Sequence, residues 1–355
     1  MTDKKDEITP AVMKKVGLRL GYIDALRGAS SMLVVISHAY IFFTINHLFI
    51  NFGKIGVFVF FLISGFVIPF SFKKSPGNYK IFITSRFFRL YPAYWASIVI
   101  ALSVYFIFDN TIPPTSEIIS NITMLQMGMG KKNIIGVYWT LFIELIFYVI
   151  CIFLAWKKIL WDERKMINMF YVFILLSVAI SVARFILHKK FPAAIPLGLS
   201  LMFLGCAWRF YILEGREYAK SQVSKMICVC IVATFISSYL SYSWDSQTDE
   251  PWQNFAFAYF ISIILFIVFT KYIRINSSFM CFLGAISYSL YLVHDPVIRV
   301  FKEISPFIQH EYGSHYKILA IISSICIASV LYVIVEKPSI AVGRAITNKI
   351  RANYK

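Results

Sequence analysis

The sequence predicts an all-α, polytopic membrane protein with about ten transmembrane helices and both termini in the cytoplasm. Three observations lead there. Of 355 residues, 59% are hydrophobic and only 15% are charged, against about 25% charged in a soluble domain, and mean hydropathy is +0.70. Ten segments each supply about 20 predominantly apolar residues, the length that crosses a hydrocarbon core with every backbone polar group satisfied internally. Lys and Arg concentrate on alternate connections, as short cytoplasmic loops do.

The chain divides into a basic segment (1–22), a transmembrane domain (23–337) and a tail (338–355). Lys4, Lys5, Lys14, Lys15 and Arg19 precede the first span, 23–44. No apolar run there ends in a small-residue cleavage site, so this span reads as an uncleaved signal anchor. Spans at 55–72 and 87–108 flank a cation cluster that includes Arg86 and Arg89. The longest connection, Asp109 to Ile135, leads to spans at 136–156, 167–187, 193–213 and 226–243. An outer loop around Asp245, Asp249 and Glu250 holds no Lys or Arg, and spans at 253–270, 278–300 and 317–335 complete the set.

A net charge of +17 would suggest nucleic acid in a soluble protein. Here most of it falls on the side of the two termini, where it sets orientation and meets anionic lipid headgroups; no nucleic-acid partner is expected. Cys151, Cys206, Cys228, Cys230, Cys281 and Cys326 all lie within spans and form no CxxC or Cys/His pattern. Neither a disulfide nor a metal site is expected.

An ionisable side chain inside a span is costly unless paired or facing a cavity, which makes it a functional candidate. His38, Glu144 and His294 qualify. His38 lies six residues and Glu144 eight from the outer ends of their spans, depths of about 9 and 12 Å at 1.5 Å per residue. At matched depth a carboxylate can orient an imidazole as a general base. Arg27, eleven residues before His38, sits about 16 Å below it on nearly the same face. Arg86 and Arg89 share a face at i and i+3, where guanidinium forks suit phosphates. Ser287, Tyr291 and His294 form one polar stripe at i, i+4 and i+7 that suits a cavity wall. Tyr91, Tyr94 and Trp95 read as an interfacial belt, and Gly65 as a point of close helix approach.

Taken in order, these residues fall in motifs: Ile23-Asp24-Ala25-Leu26-Arg27-Gly28 with Ile36-Ser37-His38; Gly56 through Ser64-Gly65-Phe66; Arg86-Phe87-Phe88-Arg89; Trp139-Thr140-Leu141-Phe142-Ile143-Glu144; Gly284 through Ser287-Tyr288-Ser289-Leu290-Tyr291-Leu292-Val293-His294; and Glu336-Lys337-Pro338. In this order the chain resembles the acyltransferase-3 family of integral-membrane O-acyltransferases over nearly its whole length. It departs at Ala25, where Gly is usual, at the single Glu144 in place of paired glutamates, and at Val293, where Trp is frequent.

The resemblance implies ten membrane helices and transfer of an acyl group, most often acetyl from acetyl-CoA, to a carbohydrate hydroxyl. It implies that His38 is catalytic, that Glu144 is the acidic residue of its motif, and that Arg27, Arg86 and Arg89 serve the donor. Trp139, Ser287, Tyr291 and His294 are expected to line the substrate cavity. The expected scheme has acetyl-CoA arriving from the cytoplasm and His38, assisted by Glu144, activating an acceptor from the outer side. That acceptor is a cell-surface or lipid-linked carbohydrate such as O-antigen or exopolysaccharide, and the location is a bacterial inner membrane. Direct transfer and a covalent acyl relay both remain open to the sequence. So does a secondary transporter or flippase for a lipid-linked sugar or small anion, although no inverted repeat of the transporter kind is present.

Overall fold

Gly21–His38 forms α1, an 18-residue helix whose register is set by glycine. A Cβ on Gly284 would overlap the Asp24 backbone, and one on Gly28 would lie 2.6 Å from the Met280 carbonyl oxygen. The helices therefore cross in backbone contact, which small residues alone permit. The partner is α10 (Ser278–Tyr312). Ten residues beyond each glycine come His38 and His294, whose ring centroids are 4.8 Å apart. Helices in contact at two such matched positions run parallel.

The computed structural model describes residues 20–39, 43–45, 48–72, 77–109, 111–245, 250–312 and 315–353. The basic stretch 1–19 and Asp249 lie outside the described residues. Between α1 and α10 run α2 (Phe52–Val67), α3 (Asn78–Asp109), α4 (Thr115–Ile122), α5 (Tyr138–Trp156), α6 (Glu163–Leu187), α7 (Ala194–Ile212), α8 (Glu217–Tyr242) and α9 (Trp252–Ile267). After α10 come α11 (Tyr316–Leu331) and, beyond a π turn at Tyr332–Glu336, α12 (Lys337–Ala352). Among the described residues nine helices are long and apolar enough to cross a membrane. The chain is an all-α polytopic membrane protein.

Several expectations need correction. The first span ends at His38 rather than at residue 44, and a short antiparallel hairpin follows, pairing β1 (Phe43–Ile45) with β2 (Leu48–Ile50). Its residues are aromatic, β-branched or leucine, and hydropathy alone cannot separate strand from helix over so short an apolar run. At 18 residues with Asp24 and Arg27 inside it, α1 is also too polar to count among the nine. The tail after residue 337 is helix α12, laid against α3 so that Phe88 occupies the space a Cβ on Gly343 would need. The connection from Asp109 to Ile135 contains α4, whose last carbonyls accept hydrogen bonds from α3. The Tyr94 hydroxyl donates to Asn121 (2.8 Å), the Trp95 indole to Ile122 (3.0 Å) and the Tyr91 hydroxyl to Thr123 (3.1 Å). That trio anchors a loop as well as presenting aromatic rings. Helix ends inside a membrane protein leave orphan carbonyls, and these side chains satisfy them.

Not all helices reach the same height. α2 begins beside the end of α1, where a Cβ on Gly53 would lie 3.0 Å from the Ser37 hydroxyl oxygen. α5 begins at Tyr138, whose hydroxyl lies 2.7 Å from that of Ser97, well inside α3. α3 continues twelve residues past Ser97 and α10 eighteen past His294, about 18 and 27 Å. Asp109 and Arg299 join these two tall helices in a hydrogen-bonded ion pair. The short helices thus make the floor of a bowl and the tall ones part of its wall, and irregular backbone at membrane depth is tolerated where it lines such a recess.

Candidate active site

Two cavities lie back to back in the bundle. The first, of about 300 Å³, is lined by Arg27 from α1, Arg86 and Arg89 from α3, Glu144 from α5, Ser287 and Tyr291 from α10, and Arg344 from α12. The expected arginine set therefore converges on one space. Arg86 is held by a hydrogen bond from its Nη2 to the Ser71 hydroxyl (2.9 Å), and its guanidinium lies 5.1 Å from the Phe82 ring centroid and 5.4 Å from that of Tyr148. Four guanidinium groups and one carboxylate line this space, with Asp24 and Glu336 near Arg27 and Arg89, and the positive excess that remains attracts a polyanion.

The second cavity, of about 610 Å³, is the bowl. His38, Trp139 and Tyr291 line it together with Lys54, Glu250, Asp295, Arg299, Lys302 and Glu303. Its charges are largely mutual. Lys54 Nζ lies 2.6 Å from Glu250, which also accepts a hydrogen bond from Asn51 (2.9 Å). The Asn51 side chain in turn caps α2 by accepting from the Lys54 backbone N–H.

His38 is poised by its own helix. Its Nδ1 lies 2.9 Å from the Val34 carbonyl oxygen, and because a carbonyl only accepts, Nδ1 carries a proton, so the lone pair of the neutral ring is on Nε2. The backbone thus performs the orienting task expected of Glu144. Glu144 instead accepts a 2.6 Å hydrogen bond from Tyr148, one turn along α5, and faces the arginine cavity rather than the bowl. The expected His38–Glu144 pair is corrected accordingly. Equal depth did not specify which face of each helix the two groups occupy.

The polar stripe on α10 divides. Ser287 lines the arginine cavity, and Tyr291 lines both. Between them the Tyr291 and Thr140 hydroxyls lie 2.7 Å apart, and both reach the Val137 carbonyl (3.1 and 3.0 Å). Together with Val57 they form part of the septum between the cavities. His294 lines neither cavity, contrary to expectation: it is 0% exposed because the parallel crossing turns it onto His38. Its Nδ1 lies 3.1 Å from the Leu290 carbonyl, and its Nε2 has no hydrogen-bond partner among the described residues.

Reading the sequence missed three features. Tyr148 was recoverable, since i, i+4 spacing from Glu144 on one helix is a contact distance. The Glu336 carboxylate, 1% exposed, accepts from the Ser289 hydroxyl at 2.6 Å and ties the Glu336-Lys337-Pro338 motif to α10. Arg344 carried no local signal, being one more cation in a basic tail.

Residues 20–334 match the profile of an acyltransferase domain, that of the acyltransferase-3 family. Neither the curated proteins nor the solved structures give a match.

Proposed function

Because the chain belongs to the acyltransferase-3 family and is a membrane acyltransferase, we propose that it moves an acyl group, acetyl in the simplest case, from acyl-CoA to a carbohydrate hydroxyl across the septum between its two cavities. The observation that carries this reading is their opposition: an arginine-rich recess on one side, His38 with its Nδ1 held by the backbone on the other, and one shared wall. Lys and Arg usage puts the arginine end in the cytoplasm, the compartment of acyl-CoA, and leaves the bowl facing outward in a bacterial inner membrane. Family membership sets the transporter alternative aside.

In this scheme the donor's phosphates rest on Arg86 and Arg89 with Arg27 behind them, bidentate contacts that guanidinium groups make well. The pantetheine arm follows the roughly 16 Å rise from Arg27 to His38 and brings the thioester to the septum. An acceptor hydroxyl in the bowl, with a pyranose face against Trp139, gives its proton to His38 Nε2. Its oxygen forms the new C–O bond to the acyl carbonyl carbon, the C–S bond breaks, and the leaving thiolate takes the proton back from the imidazolium. Glu144 tempers the arginine charge and holds Tyr148; it does not act on His38. The acceptor is a lipid-linked or cell-surface carbohydrate.

Purified protein in detergent, given acetyl-CoA and a glycan panel, tests this by acceptor-dependent release of free thiol. The expected result is release that His38→Ala abolishes while acetyl-CoA still binds. Release undiminished in His38→Ala sinks the assignment of the base.

A further inference from the structure

We propose that Arg344 reads the terminal phosphate monoester of the acyl donor's nucleotide, so that α12 is a specificity element and not only a basic tail. The proposal rests on the donor reading above and adds a residue and a recognised group to it.

Three observations meet at Arg344. It lines the same cavity as Arg27, Arg86 and Arg89, together with Ile340 and Gly343 of its own helix. It is exposed, whereas the other three are half-buried, so it stands at the mouth. Its helix is held rather than free: Gly343 and Thr347 are buried one turn apart, and the α12 backbone approaches Phe88 of α3 more closely than any side chain at Gly343 would allow. Phe88 lies directly before Arg89, so α12 is fixed against the arginine pair itself.

Size decides which part of the donor reaches it. A volume of about 300 Å³ is at the small end for a drug-sized ligand, roughly 300–1,000 Å³, and an acyl-CoA is larger than that. The cavity can take the acyl-pantetheine arm and the pyrophosphate while the phosphorylated ribose stays at the rim. Along an extended donor the order is thioester, pantetheine, pyrophosphate, 3′-phosphate. Along the cavity the order is septum, Arg27 with Arg86 and Arg89, then Arg344. The outermost phosphate therefore meets the outermost arginine, and a monoester dianion facing a guanidinium fork is a strong charge-assisted pair.

The test compares donors in phospholipid-free neutral detergent. For Arg344→Ala, affinity for acetyl-CoA is expected to fall about tenfold, the loss of one charge-assisted contact at a partly solvated site. Affinity for 3′-dephospho-acetyl-CoA should change less than twofold, and Arg344→Lys should recover part of the loss. Arg351→Ala, exposed on the same helix outside the cavity, should match the wild type with both donors. Equal losses for both donors, or no loss for either, overturn the assignment. Anionic phospholipid that competes with acetyl-CoA in the wild type but not in Arg344→Ala would give the residue to the membrane surface and overturn it as well. Absence of saturable acetyl-CoA binding by the wild type would instead defeat the donor reading, a separate failure.

Discussion

The arginine cavity and the bowl share Tyr291 and Val57 yet are built on opposite electrostatic plans. In the first, four arginines and one carboxylate make up the charged lining, and Asp24 and Glu336 behind it offset only part of the excess. In the second, Lys54 is bound to Glu250, Arg299 is bound to Asp109, and Asp295 and Glu303 add further carboxylates. Burying unbalanced charge is expensive, so an unbalanced recess makes sense where a ligand completes it. A balanced one gives a net-charged ligand little to gain and favours polar, uncharged surface that hydrogen bonds and stacks. The two electrostatic plans fit the proposed division between a polyanionic donor and an uncharged acceptor, with Tyr291 and Val57 at the wall they share.

That contrast can be broken by substitution, and the largest expected effect lies at the bowl. His38→Ala should lower turnover by about 10²–10⁴-fold, the usual worth of a general base, with acetyl-CoA affinity unchanged by calorimetry. If donor binding falls in parallel, the chambers are not chemically separate. On the arginine side, Arg86→Ala or Arg89→Ala should raise KM for acetyl-CoA about 10–100-fold, equivalent to about 1.5–3 kcal/mol for a hydrogen bond to a charged group, with kcat nearly constant. A fall in kcat at constant KM would move these residues from holding the donor to the reaction itself.

A smaller effect is expected where the chambers are held in register. Gly284→Val must push α10 off the Asp24 backbone, an overpacking worth about 1–3 kcal/mol. Thermal stability should drop, and turnover should drop with it, because the shift separates His294 from His38. Full activity in a destabilised Gly284→Val would show that the histidine contact is dispensable. The mildest change is Glu144→Gln. Removing the one carboxylate from the anion site should tighten acetyl-CoA about threefold, within the range of a partly solvated ion pair, and leave the pH dependence of kcat in place. A displaced pH profile would return Glu144 to His38.

Much of this architecture is written in local pattern. The helices followed from apolar length, the arginine pair from i, i+3 spacing, and the glycines of the motifs became helix crossings once placed. The histidine contact was not anticipated, and the equal intervals from Gly28 to His38 and from Gly284 to His294 explain it only once the two glycines are seen to cross. Glu144 was not legible in the same way. Depth along a span is countable, but the rotation of a helix about its axis and the identity of its neighbour depend on packing that hydropathy does not encode. The depth count also assumed that α1 continues to residue 44, whereas the helix ends at His38. Arg344 was hidden for a different reason: a cation that holds a ligand and a cation that fixes topology look alike until α12 is seen against α3.

The septum carries a consequence of another kind. A membrane that stores energy as an ion gradient tolerates two opposed recesses only if the partition between them is tight. Here that partition includes the hydrogen-bonded pair of Thr140 and Tyr291 beside Val57. A charge carried from one face of the membrane to the other through it crosses the transmembrane voltage, at about 2.3 kcal/mol per elementary charge for each 100 mV. The same two hydroxyls that divide donor from acceptor are therefore also electrical insulation, and a Tyr291→Ala substitution, whatever it does to transfer, should be detectable as a proton leak in sealed vesicles.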